Sequence, residues 1–242
     1  MTERTEYYRD YWKEPQFEDC TYVNWKVALT RSREGIQRAS SILDVGCGGG
    51  AILRAIARPG VRLVGGDVSV GAAGAGQEAG FEGVAVDLEQ GKLPFASGSF
   101  DAVLCYDVFE HLFSPELLLA EIHRVMSRDG LAFLCVPNSL NGFNRLMFLA
   151  GKHVDIMDTS HRERELFSNH IRLFSKGLFD NFLTMGQFEI VERHFYFPPQ
   201  FTDRRYRLPH ALNGLIRATR LPQAWPGLFA LGFLYVCKPR GG

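Results

Sequence analysis

The chain has no excess of either charge: 27 lysines and arginines stand against 27 aspartates and glutamates. Without a global field it has no general means of drawing in nucleic acid or an anionic membrane, so a small or neutral partner suits it better. Cysteine is sparse and scattered. Cys20, Cys47, Cys105, Cys135 and Cys237 form no C-x-x-C pair and have no histidine at metal-ligand spacing, which points to reduced thiols in a cytoplasmic protein and to no metal site. Long apolar runs are missing as well. The stretch Leu228 to Val236 is too short to span a bilayer, and the first residues, MTERTEYYRDYWKE, lack the apolar centre of an export signal. Neither membrane insertion nor export is expected, and internal repeats and low-complexity tracts are absent.

What is present is apolar content of 46% over 242 residues, enough to bury a full core in one domain carrying a lid. From Ser41 to Pro137, short apolar runs alternate with helical patterns, the signature of βαβ units and a parallel sheet. Strands are expected at Ser41 to Val45, Arg62 to Gly66, Gly83 to Val86, Ala102 to Tyr106 and Leu131 to Val136. Ser114-Pro115-Glu116 supplies an N-cap, a proline at the first helical position and an acid in the first turn. That helix is expected to run toward the stop signal Asp129-Gly130, with Leu118, Ile122 and Val125 on one face.

After Pro137 the texture changes. Asn138 to Ser168 is polar, carries His153 and His161, and precedes a helix expected at Ser175 to Met185; insertions of that length are often functional. Strands are then expected at Phe188 to Phe195 and Phe229 to Cys237, separated by a second insertion rich in proline, arginine and aromatics.

The segment Asp44-Val45-Gly46-Cys47-Gly48-Gly49-Gly50 sits where a strand ends and a helix begins. Its glycines allow a tight turn and a close approach of backbone to ligand. Asp67 closes the second strand 21 residues after Gly46, the spacing at which a carboxylate accepts from ribose hydroxyls. Loop and acid together imply an adenosine cofactor, whereas Gly46, Gly48 and Ala51 alone could serve helix-sheet packing. A pyrophosphate needs a free helix N-terminus; a methionine tail carries an ammonium that needs an anion, and Asp44 is placed to supply one.

These residues resemble those of the class I S-adenosylmethionine-dependent methyltransferases: the glycine loop Asp44 to Gly50, the acid Asp67, the pair Asp87-Leu88, and Glu110-His111-Leu112. Leu93-Pro94-Phe95 and Ser99-Phe100-Asp101-Ala102-Val103 are similar to the small-molecule branch that includes ubiquinone-pathway O-methyltransferases. The likeness covers Ser41 to Pro137 and, more loosely, His170 to Glu192. It implies a Rossmann-like, doubly wound α/β fold: a mostly parallel seven-stranded sheet with helices on both faces and lid insertions. Residues 1–242 would form one domain, with cap helices at 1–40, the cofactor core at 41–137, and lids at 138–170 and 197–228.

The resemblance further implies that Gly46, Cys47 and Gly48 meet S-adenosylmethionine through their backbones, that Asp67 holds the ribose, and that Val68 packs beside the adenine. Asp87 would accept the adenine amino group and Leu88 donate its N–H to the ring. Tyr106 would border the methionine part, as would Lys26 near the carboxylate and Tyr11 from an N-terminal aromatic cluster; for Tyr11 and Lys26, plain packing and a solvated surface position are the alternatives.

Methyl transfer to a hydroxyl is helped by a base, and histidine titrates near neutrality. His111 and His170 are the candidates carried forward; His153 and His161 fall in the first insertion. A nucleic-acid or protein amino-group methyltransferase would carry an N-P-P-Y-like tetrad where this chain reads Tyr106-Asp107-Val108-Phe109. Methylation at nitrogen, a nicotinamide-dependent oxidoreductase and a non-catalytic cofactor-binding scaffold remain the alternatives to an O-methyltransferase. The expected partner is a small-molecule acceptor, with a homodimer left open.

Overall fold

The computed structural model describes residues 34–69, 80–151, 170–196 and 224–241. Tyr11, Lys26, His153 and His161 lie outside the described residues, as do most of the expected cap and the greater part of both insertions.

Seven strands form one sheet in the order β3-β2-β1-β4-β5-β7-β6. They are β1 (Ser41–Val45), β2 (Arg62–Asp67), β3 (Glu82–Ala85), β4 (Phe100–Tyr106), β5 (Met126–Pro137), β6 (Phe188–Tyr196) and β7 (Gly232–Pro239). The first five run parallel, whereas β7 pairs antiparallel with both β5 and β6. The central strands are apolar at consecutive positions because helices cover both faces of the sheet. Leu43, Val45, Val103 and Cys105 face a core shared with Leu118, Ile122, Phe179 and Leu183; Ile42, Ala102 and Leu104 face a second core containing Leu53 and Phe133.

The helices are α1 (Ala51–Ile56), α2 (Pro115–Val125), α3 (Gly142–Leu149), α4 (Lys176–Met185) and the short α5 (Pro226–Phe229). The helix expected from Ser175 begins at Lys176, with Ser175 as its cap, the hydroxyl accepting from the Leu178 N–H at 3.2 Å. Ser114 stands at the N-cap of α2 but makes no side-chain cap bond, so Pro115 alone marks that start.

The other departures have local causes. Helix α2 stops at Val125 rather than near Asp129-Gly130, because buried Met126 turns extended and pairs with Phe100 as the first residue of β5. The signal at Asp129-Gly130 falls inside β5 instead, opposite the irregular pairing between Phe100 and Ala102. Phe229 ends α5 instead of opening a strand: Pro226 starts that turn, its carbonyl accepts from Ala230, and β7 begins at Gly232. The polar stretch after Pro137 opens on buried asparagines that carry their own bonds. Asn138 Nδ2 donates to the carbonyls of Gly227 (3.1 Å) and Ala230 (2.8 Å), and Asn141 Oδ1 caps α3 by accepting from the Asn144 N–H at 3.0 Å. These bonds tie the root of the first insertion to the approach of β7.

Candidate active site

Strand order reverses between β1 and β4, where their carboxyl ends open a crevice; ligands of doubly wound sheets bind at such switch points. The chain lines this crevice with a loop that only glycine can trace. Gly46, Gly48 and Gly50 have φ of 77°, 49° and 74°, and the Gly46 N–H donates to the Gly66 carbonyl at 2.7 Å, holding the turn against β2. A Cβ at Gly46 would lie 2.4 Å from Val108 Cγ2, whereas at Gly49 it would meet nothing within 4 Å. The loop is packed at its root and open at its tip.

Acids surround this turn. Asp44, at 2% exposure, leaves Oδ2 without a hydrogen-bond partner among the described residues; burial, then the charge of Asp67, push its carboxyl up to about 7. Asp67 is pinned to the loop, Oδ2 accepting from the Gly48 N–H and Oδ1 from the Ser69 N–H, both at 2.9 Å. Burial still raises its carboxyl, with those N–H bonds opposing. Asp107 follows β4 with φ of 54°, a sparsely populated conformation for a residue with a Cβ. Its Oδ1 accepts from Cys135 Sγ at 3.4 Å, and burial pushes it up to about 6. Glu110 is fully buried. No described lysine or arginine pairs with any of the four. A crevice walled by desolvated, uncompensated carboxylates is suited to a cation.

Beyond β4, His111 and His170 meet edge to face with ring centroids 4.8 Å apart. Glu110 Oε1 lies 3.9 Å from Nε2 of each histidine. The two imidazoles, remote in sequence, are brought together because the Ile171 and Arg172 N–H groups both donate to the Glu110 carbonyl, at 2.9 and 3.1 Å. Arg172 also donates from its guanidinium to the carbonyls of Leu112 and Phe113. Burial, then the charge of Asp107, hold the Glu110 carboxyl well above its ordinary range.

The remaining sequence candidates are spread along the same edge. Val68 follows Asp67 at the end of β2. Asp87 begins the turn Leu88–Gln90, its oxygens accepting from the Glu89 N–H at 3.1 Å and Gln90 Nε2 at 3.2 Å, while the Leu88 side chain is buried in the core. Half-buried Tyr106 ends β4 and packs against the second core. Cys47 turns its thiol onto the Gly48 carbonyl at 3.7 Å, and burial raises the thiols of Cys47, Cys105, Cys135 and Cys237, so none of these is an activated nucleophile.

Two of the motifs prove structural. Asp101 Oδ2 accepts from the N–H groups of Ser40 (3.0 Å) and Ser41 (3.1 Å), fixing the entry of β1 beside β4. The Leu93-Pro94-Phe95 turn is clamped by Arg124, which donates to the Phe95 and Leu93 carbonyls at 2.8 and 3.0 Å. Glu110 entered the sequence reading only as the start of the Glu110-His111-Leu112 motif and Asp107 only within the Tyr106 to Phe109 tetrad, neither with a role of its own; burial of the one and the positive φ of the other give no local sequence signal.

The sequence matches the family described as a methyltransferase domain over residues 43–134, the stretch that carries the glycine loop, the four acids and His111 but not His170. Over that stretch the chain is similar to the class I S-adenosylmethionine-dependent methyltransferases. The chain is 32% identical over 124 residues to the ubiquinone biosynthesis O-methyltransferase of Pseudomonas paraeruginosa, covering 48% of this chain and 50% of that protein. It thus spans about half the length of the curated relatives it matches. In fold it is similar to a SAM-dependent methyltransferase from Archaeoglobus fulgidus, with a TM-score of 0.61 and 16% identity over 89% of this chain and 93% of that one. It is similar also to the 1,6-didemethyltoxoflavin-N1-methyltransferase of Burkholderia thailandensis, solved with S-adenosylhomocysteine, with a TM-score of 0.58 and 16% identity over 96% and 82%. The family's cofactor fits the residues present: its sulfonium and ammonium are cationic, and the crevice offers the orphaned Oδ2 of Asp44 beneath a backbone turn open at Gly49.

Proposed function

We propose that the chain transfers the methyl group of S-adenosylmethionine to a hydroxyl oxygen of a small molecule. The observation that carries this reading is the set of acids, buried Asp44, Asp67 and Glu110 with half-buried Asp107, gathered without a described basic partner at the β1/β4 switch point. A dinucleotide would bring two phosphates to such a site and be repelled by it.

In this reading Asp44 accepts from the cofactor's ammonium. Gly46, Cys47 and Gly48 lie along it with their backbones. Asp67 accepts the ribose hydroxyls on the lone pairs left beside its two loop bonds. Val68, Asp87 and Leu88 flank the adenine, Tyr106 borders the methionine portion, and Tyr11 and Lys26 close over it from the N-terminal segment. The cofactor supplies a methyl carbon already activated by a sulfonium, so the protein has chiefly to align the acceptor and exclude water. The His111–His170 pair assists loss of the acceptor's proton, a role supported by the edge-to-face contact that joins the two imidazoles beyond β4. The insertions at 138–170 and 197–228 serve as the lid that selects the acceptor.

An amine acceptor is the second reading, favoured by the Asp107–Glu110 side of the crevice, where half-buried Asp107 and buried Glu110 would attract an ammonium group. Incubating the protein with methyl-labelled S-adenosylmethionine and a panel of phenols, alcohols and amines tests both. Label recovered as an ether supports the first and label on nitrogen the second. Label found only on protein or nucleic acid would overturn both.

A further inference from the structure

Glu110 has no exposed surface, and neither of its carboxylate oxygens receives a hydrogen bond from any described residue. A buried carboxyl is ordinarily satisfied by several N–H or O–H donors, and an unsatisfied one costs the full desolvation of the group. Here the groups that face it are imidazole nitrogens, His111 Nε2 and His170 Nε2, each 3.9 Å from Oε1. That distance is too long for a hydrogen bond. It is short enough for all three to share a single ion, since one ligand atom from each side chain lies within 4.8 Å of the others.

We propose that Glu110, His111 and His170 bind one divalent first-row transition-metal ion, zinc foremost. Two imidazole nitrogens and one carboxylate are a ligand set of borderline softness that suits Zn²⁺ and disfavours Mg²⁺ and Ca²⁺, which take oxygen donors. Bonds of about 2.0–2.1 Å in a tetrahedral shell place ligand atoms about 3.4 Å apart, so the present 3.9 Å separations close by roughly half an ångström as the side chains turn inward. The neighbouring charge favours a cation: half-buried Asp107 is close enough to act on Glu110, and no described lysine or arginine pairs with either. His170 is 6% exposed and His111 20%, so the set is open chiefly on the His111 side. Three protein ligands leave a fourth position there, as catalytic metal sites do.

The inference deepens the proposed function and, for its catalytic consequence, rests on it. A hydroxyl coordinated at the fourth position is acidified by the ion; its proton leaves to water, the oxygen lone pair forms the new O–C bond as the S–C bond breaks, and the sulfonium becomes a neutral thioether. The histidines then ionise the acceptor through the metal rather than as free bases. The ligand chemistry favours an acceptor that presents an acidic hydroxyl, such as a phenol, to the ion.

The test is metal binding by the full chain without cofactor or acceptor. Purified protein is stripped with a chelator, titrated with Zn²⁺ against a chromophoric competitor, and loaded with Co²⁺ to record its visible spectrum. One equivalent of Zn²⁺ and intense tetrahedral Co²⁺ bands are expected. Glu110→Gln and His170→Gln should weaken binding by more than the roughly 10–100-fold that loss of an outer-shell partner costs, while His194→Ala, which removes a histidine paired with Glu192 on β6, should not. Thermal melts of each variant show that it is folded; should Glu110→Gln fail to fold, His170→Gln decides. Weak, octahedral Co²⁺ spectra or unchanged affinity in the folded variants overturns the metal site. S-adenosylmethionine binding titrated separately keeps the readings apart: cofactor bound without metal sinks this inference alone, and metal bound without methyl transfer sinks the proposed function alone.

Discussion

At the scale of single residues, the most sharply constrained position is Gly46. Its φ of 77° and the 2.4 Å that would separate an added Cβ from Val108 Cγ2 leave no room for a side chain. Gly46→Ala should combine roughly 1–3 kcal/mol of backbone strain with a displaced Val108, lowering both the melting temperature and cofactor affinity. Adding Val108→Ala removes the overlap but not the strain, so recovery in calorimetric titration should be partial; complete recovery would show that only the contact matters.

Asp44 carries a pH signature. Burial and Asp67 raise its folded-state carboxyl from 3.8 to about 7, so between those values the folded protein holds a proton that the unfolded chain has released. Stability of the cofactor-free protein should therefore fall as pH rises from about 4 to about 7, with Asp67 and Asp107, also raised, adding in the same direction. Urea unfolding across this range should give a shallower pH dependence for Asp44→Asn than for the parent. An equal slope would contradict the desolvated state of Asp44.

Among the elements, helix α2 does more than cover the sheet. Glu121 and Arg124 on its outer turn reach over the Leu93 to Phe95 segment: Glu121 accepts from the Leu93 N–H at 2.7 Å while Arg124 donates to two carbonyls of that turn and to Glu121 itself. The guanidinium fork matches several acceptors at once, which an ammonium cannot do. Arg124→Ala should cost roughly 1.5–3 kcal/mol, read as a lowered midpoint in denaturant, and Arg124→Lys should restore only a minor part. Full restoration by lysine would reduce the clamp to a simple charge effect.

The elements also show what a sequence can reveal. Strand β1 was legible to the residue because its apolar run ends abruptly at the glycine turn, whereas α4 starts one residue after the expected Ser175, which caps it instead. The start of β5 was not, since Met126 and Val125 are equally apolar and only pairing with Phe100 decides between helix and strand. The order in which β7 slips between β5 and β6 is a matter of long-range pairing that no local pattern records. At the site, Asp44, Asp67 and the glycines were legible because they are close in sequence and regularly spaced. Asp107, by contrast, matters through its backbone conformation. Glu110 joins His111 to His170 only because the chain returns at Ile171 and Arg172 to bond with its carbonyl.

On the scale of the whole molecule, the charge pattern runs against the neutral composition. The 27 acidic and 27 basic side chains cancel overall, yet the β1/β4 crevice concentrates acids whose burial has been costly to arrange. Such a site is destabilising when unfilled and favourable for a cation when filled, so a ligand that binds there should raise the melting temperature by mass action. The central claim is tested most directly by calorimetric titration with S-adenosylmethionine, and in parallel with a nicotinamide dinucleotide, at about pH 6.5 in buffers of differing ionisation enthalpy. The cation should favour ionised Asp44, giving one binding site with release of protons to the buffer and an affinity weakened by roughly 1.5–3 kcal/mol in Asp44→Asn. Binding of the dinucleotide alone, or uptake of S-adenosylmethionine indifferent to Asp44, would contradict the account.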